Sequence, residues 1–471
     1  MIEFLKMCGY EAEDIESSLP RLEKVFRILE IDSRDIDRGK KRLKTYYDMD
    51  LESVRKAIGL GIRNAADTVL AREDGKKKII YYYMSPGMEI VGTALLTKSE
   101  EIFVANLNGP LQFLLGGIFN KMVPVIETSE KKWLKAGKAH HCANVKSALG
   151  FLSLGLIPKP DLLVTCGLLC DTAPKSIDLI QELFNIPACS YDACIDQEFS
   201  EYPDFSRMME FSSRSARHVV KRIGEMVGFD ISDSMLMEAI KARGGIAGNV
   251  RELRGIMDTS DPVPISAAHD IIWNCVATLS CDISGLIEPS EVLETAVSEI
   301  KTKVRNGEGL LEKGAPRVLS LCPPHYSDPR WEKYPYDYGI SLISSETGFF
   351  PPYGERSPEI DEESRNDPYV LMLMSLQSSL NQTLRARTTT IIEVCRRLKV
   401  DGVMDKYHVG CRIGVADALI LKEAITEALG IPVLLLEWEG FDPRIMNDEQ
   451  YGKQLENFKD ILESKRRTIG K

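Results

Sequence analysis

The sequence predicts a mixed α/β protein with two units of mostly parallel sheet and with helical regions before and between them. Short apolar runs of strand type alternate with helical patterns over residues 78–191, and the alternation returns from residue 317. In the other stretches apolar residues recur at helical spacing, and runs of strand type are sparse. A chain of 471 residues is also too long for one ordinary core. We therefore expect two sheets, each with helices on both faces.

These patterns divide the chain into four parts. Residues 1–76 are predicted to form an N-terminal helical extension, because apolar residues recur there at spacings of three and four. Residues 77–203 form the first α/β lobe, and residues 204–313 form a helical bridging region. Residues 314–471 form the second α/β lobe, which ends in a C-terminal helix.

The first lobe opens with a predicted strand over residues 78–84, which the breaker Ser85-Pro86-Gly87 ends. Further strands are predicted over residues 122–126, 161–166 and 186–191. Helices are predicted over residues 140–154 and 174–184, and Pro174 suits a first helical turn.

The second lobe opens with a predicted strand over residues 317–322 and continues with strands over residues 340–343, 402–404 and 431–436. Helices are predicted over residues 369–398, 414–429 and 449–465. The segment 345–368 is rich in proline, glycine and charge, which is typical of a loop or a lid.

Charge and hydropathy exclude several classes of protein. A net charge of −11 argues against a nucleic-acid surface, since phosphate binding needs clustered lysine and arginine. No apolar stretch is long enough to span a bilayer. The first residues lack the succession of basic, apolar and small residues that marks a secretory signal, so we expect a cytoplasmic protein. Gly116-Gly117-Ile118 is not followed by the ending of a phosphate-binding loop. Any ATP that drives the chemistry is therefore hydrolysed by a partner.

Cysteines stand out at the ends of the predicted strands. The chain has 11 of them, an odd number that favours thiols or metal ligands over disulfides in a reducing compartment. Cys170 follows one strand, Cys411 follows another strand and opens a helix, and Cys142 opens a second helix. A helix amino terminus favours the thiolate, which is the form that binds iron. Cys166 and Cys322 occupy similar positions, and the set indicates an iron–sulfur site.

Three other interpretations of these thiols remain open. Any one of them is also explained by core packing, because buried cysteine is a common small apolar residue. His140 and His141 could join Cys142, Cys166 and Cys170 in a tetrahedral zinc site. His408, three residues before Cys411, could form a nucleophilic Cys–His pair. The number of thiols at sheet ends favours a cluster.

Several segments resemble one family of proteins. They are Cys142-Ala143-Asn144-Val145-Lys146-Ser147-Ala148-Leu149-Gly150, Ile157-Pro158-Lys159-Pro160-Asp161-Leu162, Cys170-Asp171, Asp401-Gly402-Val403-Met404 with Cys411, and Phe441-Asp442-Pro443-Arg444. The likeness is to the D-component family of 2-hydroxyacyl-CoA dehydratases and benzoyl-CoA reductases, and it extends over residues 78–463.

The resemblance implies two Rossmann-like lobes with a [4Fe–4S] cluster in the cleft between them. By position, Cys142, Cys170 and Cys411 hold the cluster and leave one iron open. An ATP-hydrolysing iron–sulfur activator then injects an electron, which passes to a CoA thioester. The thioester becomes a ketyl radical that loses a 2-hydroxyl group or begins reduction of an aromatic ring. Such subunits work as homodimers or heterodimers.

The resemblance also leaves choices open. Some relatives hold a double-cubane [8Fe–9S] cluster and reduce small molecules, which would require further ligands such as Cys166 and Cys322. This chain reads Ser345-Glu346-Thr347-Gly348 where those relatives often carry a cysteine, so a single cubane is favoured. Glu89 matches a family position and, with His408, is the candidate acid or base. A non-catalytic subunit that assists a reactive partner is the alternative to an enzyme.

Overall fold

A computed structural model describes residues 1–135, 141–167, 170, 172–192, 205–346, 362–374 and 383–469. Within these ranges, eight strands form two all-parallel sheets, and helices surround both sheets. The mixed α/β class predicted from the sequence is confirmed. His140 and Asp171 lie outside the described residues, as does most of the predicted loop 345–368.

The amino-terminal part is helical, as the apolar spacing predicts. Its four helices are α1 (Ile2–Met7), α2 (Ala12–Ile28), α3 (Ser33–Tyr46) and α4 (Glu52–Leu70). Asp32 and Asp35 form a reciprocal capping box at the start of α3. Helix α4 is buried around most of its circumference and shares a hydrophobic core with the first sheet. The extension is therefore packed into the body of the protein.

The first sheet contains β1 (Lys78–Tyr83), β2 (Ile102–Asn106), β3 (Leu162–Cys166) and β4 (Ala188–Tyr191), in the order β2-β1-β3-β4. Its strands alternate with α5 (Met88–Lys98), α6 (Gly109–Leu111), α7 (Met122–Lys132), α8 (Ala143–Ser153) and α9 (Thr172–Phe184). A π-helical segment, Gln112–Ile118, continues from α6. Tyr82 and Tyr83 face opposite sides of this sheet and join different cores.

The predicted strand at residues 122–126 is wrong, because these residues open helix α7. A short apolar run is compatible both with a buried strand and with the start of a buried helix. Pro124 falls in the first helical turn, where a missing N–H leaves no hydrogen bond unmade. The second strand of the first sheet is instead β2, which precedes these residues in the chain and which the sequence patterns had not indicated.

The bridging region is helical, as expected. Its α-helices are α10 (Phe205–Val227), α11 (Asp233–Thr259), α12 (Asp270–Ala277) and α13 (Ile287–Arg305). Helix α11 packs against α5 of the first lobe and against α13. Two 3₁₀ turns, Ala267–His269 and Ser284–Leu286, lead into α12 and α13.

The second sheet contains β5 (Arg317–Leu321), β6 (Ser341–Ser345), β7 (Gly402–His408) and β8 (Val433–Trp438), in the order β6-β5-β7-β8. The helices of this part of the chain are α14 (Arg330–Asp337), α15 (Glu362–Arg365), α16 (Pro368–Met374), α17 (Leu384–Leu398), α18 (Arg412–Leu429) and α19 (Asp448–Ile469). Of these, α16 packs against α10 and α11, and its side chains join the core of the first sheet. The predicted helix over residues 369–398 corresponds to α16 and α17, and residues 375–382 between them lie outside the described ranges.

The two sheets share one strand order, in which the second strand along the chain lies at the edge and the first and third pair centrally. In such a sheet the chain leaves the first and third strands in opposite directions, and the crevice beyond their carboxyl ends is where ligands bind. The crevice of the first sheet lies beyond β1 and β3. That of the second lies beyond β5 and β7.

The two lobes touch directly at these edges. A Cβ atom added to Gly410, just after β7, would lie 2.6 Å from the Cα atom of Cys142 and 2.8 Å from its backbone nitrogen. Only glycine allows backbones to approach this closely. Among the described residues, no helix has the length and apolar character needed to cross a membrane.

Candidate functional site

Two of the candidate thiols occupy the same position relative to a helix. Cys142 is the residue before α8, and Cys411 is the residue before α18. The backbone N–H of Cys411 donates to the His408 carbonyl oxygen at 2.8 Å, which fixes the turn between β7 and α18. Free N–H groups at a helix amino terminus carry partial positive charge. Both positions therefore suit a thiolate.

Cys142 lies among other negative groups. Burial raises the pKa of its thiol well above the ordinary value, and the charges of Glu439, Cys170 and Cys411 raise it further, whereas the backbone N–H of Asn144 opposes this. The structure therefore brings Cys142, Cys170 and Cys411 into one neighbourhood, although the first two belong to the first lobe and the third to the second. A cation at this place would reverse the shift.

Tyr83, the last residue of β1, faces the same neighbourhood. Burial raises the pKa of its phenol well above the ordinary value, and the charges of Cys142, Cys170 and Glu439 add to that effect. The Cys170 sulfur accepts a hydrogen bond from the backbone N–H of Thr172 at 3.3 Å. Sequence reasoning missed Tyr83, although its position at the carboxyl end of a central strand was a usable signal.

Glu439 is a second residue that sequence reasoning missed. It directly follows β8, and its side chain is buried between the lobes. One carboxylate oxygen accepts from the backbone N–H of Ala143 at 3.2 Å, at the start of α8. The other lies 2.9 Å from Nε2 of His408 and accepts from the backbone N–H of Phe441 at 3.3 Å. The carboxylate thus connects the two lobes.

His408, a predicted acid or base, ends β7 and is buried. The backbone N–H of Gly440 donates to its Nε2 at 2.8 Å, and its Nδ1 has no hydrogen-bond partner among the described residues. Ligand atoms of His408, Cys142 and Glu439 all lie within 4.8 Å of one another. This compact group includes none of the other candidate thiols Cys166, Cys170 and Cys411, and the zinc interpretation stays a prediction.

Cys322 lies beside this site in the second lobe. Its backbone has φ of +65°, a left-handed conformation that costs a non-glycine residue about 1–3 kcal/mol. Its N–H donates to Glu346 at 3.0 Å, and its sulfur lies 4.0 Å from Oδ1 of Asp405. Burial raises the pKa of this thiol well above its ordinary value, with further contributions from Asp405, Glu346 and Cys411. Cys322 is therefore a neighbour of Cys411.

A buried charge network supports this edge of the second sheet. Arg387 binds both carboxylate oxygens of Glu346, at 2.7 and 2.8 Å, and also binds Asp417 at 3.0 Å. Arg387 and Glu346 are completely buried. Asp405 lies nearby, and burial raises its pKa to about 7, with Arg387 opposing and Glu346 and Asp417 adding to the rise.

Asp405→Asn is expected to flatten the dependence of stability on pH. The folded-state pKa of Asp405, about 7, exceeds the ordinary 3.8. Below the ordinary value the carboxyl is protonated in both states. Between the two values it is ionised only in the unfolded chain, which lowers the free energy of unfolding as the pH rises. We expect the free energy of unfolding to fall between pH 5 and 8 less steeply in the variant, by about 1–3 kcal/mol. Urea unfolding at both pH values measures this. Asp460→Asn, on the exposed face of α19, is the control and should behave as the unaltered chain does.

Glu89 and Cys166 lie on the other face of the first sheet. Glu89 is in the first turn of α5, where burial raises its pKa and Arg243 opposes the rise, and its charge acts on Tyr82 and Tyr191. The Cys166 thiol donates to the Met84 carbonyl oxygen at 3.0 Å and is part of the core that contains Tyr82. The structure therefore does not place either residue in the group around Cys142.

Comparison with known proteins decides the family. Residues 117–462 match the family described as 2-hydroxyglutaryl-CoA dehydratase, D-component, which is more than half of the chain. The chain belongs to this family. The D-component family comprises subunits of dehydratases that act on CoA thioesters, so the family predicted from the sequence motifs is confirmed.

One curated relative of this D-component protein is remote in sequence. The (R)-phenyllactyl-CoA dehydratase alpha subunit of Clostridium sporogenes is 20% identical over 314 residues, which are 66% of this chain and 72% of the relative. The relative is named as one subunit of a dehydratase. D-component membership likewise implies a partner subunit for this chain.

Proposed function

We propose that this protein is the iron–sulfur subunit of a 2-hydroxyacyl-CoA dehydratase, with Cys142, Cys170 and Cys411 as ligands of a [4Fe–4S] cluster. The observation that carries the proposal is the close approach of Gly410, the residue before Cys411 in the second lobe, to the backbone of Cys142 in the first. Cys170 and Cys411 both act electrostatically on the Cys142 thiol, which supports their inclusion. Cys170 and Cys411 follow central strands, and the crevices beyond such strands are where parallel sheets bind ligands.

The chemistry of the donor set fits an iron–sulfur cluster. Thiolate sulfur is the usual ligand of these clusters, and two of the three thiols lie at helix amino termini that favour the thiolate. The anionic neighbours of Cys142 raise its pKa, so the site favours a cationic group. When bound, a cluster with one iron lacking a thiolate supplies a low-potential electron and a Lewis acid for a thioester carbonyl.

The residues around the thiols have definite tasks in this proposal. Tyr83 is a buried phenol whose raised pKa keeps its proton, so it can donate a hydrogen bond to a substrate oxygen. Glu439 accepts hydrogen bonds and holds the start of α8 against the second lobe. Close contact between Gly410 and Cys142 excludes water from that side, which protects a reactive radical.

A single cubane is favoured over a double one. Cys166, one of the two extra thiols that a double cubane would use, donates to a backbone carbonyl within a hydrophobic core. Cys322 is closer to Cys411, but its neighbours are the carboxylates Asp405 and Glu346. A double cubane would need both extra thiols, so the place of Cys166 within the core favours the single cubane.

Two partners complete the proposed reaction. The sequence has no phosphate-binding loop of the Walker type, so an ATP-hydrolysing activator with its own cluster supplies the electron. A related subunit forms a dimer with this chain, as the subunit name of the curated relative suggests. Loss of a 2-hydroxyl group, rather than reduction of an aromatic ring, is the proposed reaction because the matching family is a dehydratase family.

Iron and sulfide content of the full chain, purified without oxygen, tests the proposal. We expect about four irons and about four sulfides per chain, the composition of one cubane. About eight irons would favour the double cubane. A chain that holds no iron after anaerobic reconstitution would contradict the proposal and would favour the non-catalytic subunit.

A further inference from the structure

We propose that Glu439 is a displaceable ligand of the cluster, which lends a carboxylate oxygen to the iron without a thiolate while substrate is absent. This inference rests on the proposed function, because it requires a cluster held by Cys142. It assigns to a residue of the second lobe a role that the sequence motifs do not indicate.

The position of Glu439 supports this role. Ligand atoms of Glu439, Cys142 and His408 lie within 4.8 Å of one another, and the glutamate and the histidine are buried. Tyr83 has Cys142, Cys170 and Glu439 as its negative neighbours, so the carboxylate faces the same space as two of the proposed cysteine ligands. A cluster held by these thiols would have Glu439 at its edge.

The facing groups also have the chemistry of ligands. A carboxylate oxygen and a cysteine sulfur are both lone-pair donors, and iron accepts both. The buried Nδ1 of His408, in the same group, has no hydrogen-bond partner among the described residues. A metal ion at this place would take up these lone pairs.

Glu439 also has hydrogen-bond donors that would hold it away from the iron. The backbone N–H groups of Ala143 and Phe441 each donate to one of its oxygens. The exchange would be balanced, since an iron–carboxylate bond would break as an iron–thioester oxygen bond formed, with no electron or proton moved. A carboxylate is a weaker ligand for this purpose than a thiolate, so the substrate can displace it.

Carbon-13 hyperfine spectroscopy of the reduced cluster tests the inference directly. The full chain is produced with ¹³C at the side-chain carboxyl carbon of glutamate, reconstituted with iron and sulfide, and reduced with dithionite. We expect a ¹³C coupling that is lost in Glu439→Gln and kept in Glu437→Gln, an exposed glutamate of β8. Cyanide, a small iron ligand, should perturb the spectrum of Glu439→Gln at about ten-fold lower concentration, a difference of about 1.4 kcal/mol.

The outcomes are distinguishable. A labelled unaltered chain that holds four irons without any ¹³C coupling overturns this inference and leaves the proposed function intact. A coupling to histidine nitrogen in its place assigns the position to His408 and overturns the inference too. A chain that holds no iron overturns the proposed function, and this inference with it. Should Glu439→Gln fail to fold, Glu439→Asp keeps the charge and removes the labelled glutamate carboxyl, so that loss of the ¹³C coupling supports the inference and its retention overturns it.

Discussion

Replacement of Cys142 by serine is expected to remove most of the proposed iron and about 99% of the proposed dehydratase activity, because a hydroxyl group does not ionise as readily as a thiol. Cys142 begins α8, contacts Gly410 of the other lobe and has the two other proposed ligands as neighbours. Iron analysis and electron paramagnetic resonance of the anaerobic variant measure the loss. The matched control is Cys281→Ser, a cysteine of the helical bridging region that is half-buried and is expected to keep its full iron content.

Retention of four irons and of the unaltered spectrum in Cys142→Ser would contradict the ligand assignment. Circular dichroism distinguishes the expected result from unfolding. Serine is nearly the same size as cysteine, and the backbone around residue 142 is held by contacts that do not involve the sulfur, such as the hydrogen bond from Ala143 to Glu439. We therefore expect a folded chain that lacks iron.

Arg387→Met is expected to lower the free energy of unfolding by about 3–5 kcal/mol, the usual cost of breaking a buried ion pair by removing one partner. The variant leaves Glu346 without the guanidinium that binds both of its oxygens. It also removes the positive charge that lowers the pKa of Asp405, so that two buried carboxylates lose their compensation. Chemical denaturation at pH 7.5 measures the change.

Arg396→Met is the control for this prediction. Arg396 lies on the same helix, α17, but is exposed to solvent, so the variant should change the free energy of unfolding by less than about 0.5 kcal/mol. Equal effects of the two variants would contradict the role assigned to the buried network. Because Arg387 and Glu346 support the segment that carries Cys322, we also expect Arg387→Met to perturb the second-lobe edge of the site.

The sequence predicted the class of fold and the placement of the thiols, for physical reasons. Runs of strand type that alternate with helical patterns require parallel pairing, and cysteines that follow such runs fall at one edge of a sheet. Cys170 and Cys411 illustrate this, because each lies at the predicted edge and the structure brings both close to Cys142. Whether they bind iron stays a prediction.

The rest of the site could not be read from the sequence, because it depends on how the lobes dock. Glu439 is an isolated glutamate after a strand, and nothing local distinguishes it from the exposed Glu437 two residues earlier. Its partners Ala143 and His408 come from distant parts of the chain. Glu89 shows the opposite case, since a motif drew attention to it and its neighbour Tyr82 lies on the other face of the sheet from Tyr83. Its role as acid or base stays a prediction.

The contact between Gly410 and the backbone of Cys142 has a consequence for the order of events during synthesis. Cys142 and Cys170 leave the ribosome well before residues 410–439 do, so no state of the first lobe alone contains the assembled site. Metal binding stabilises only the conformation that presents all its ligands, and its free energy is thereby coupled to folding. Cofactor loading in this protein would accordingly report that both lobes have folded and that they have found each other.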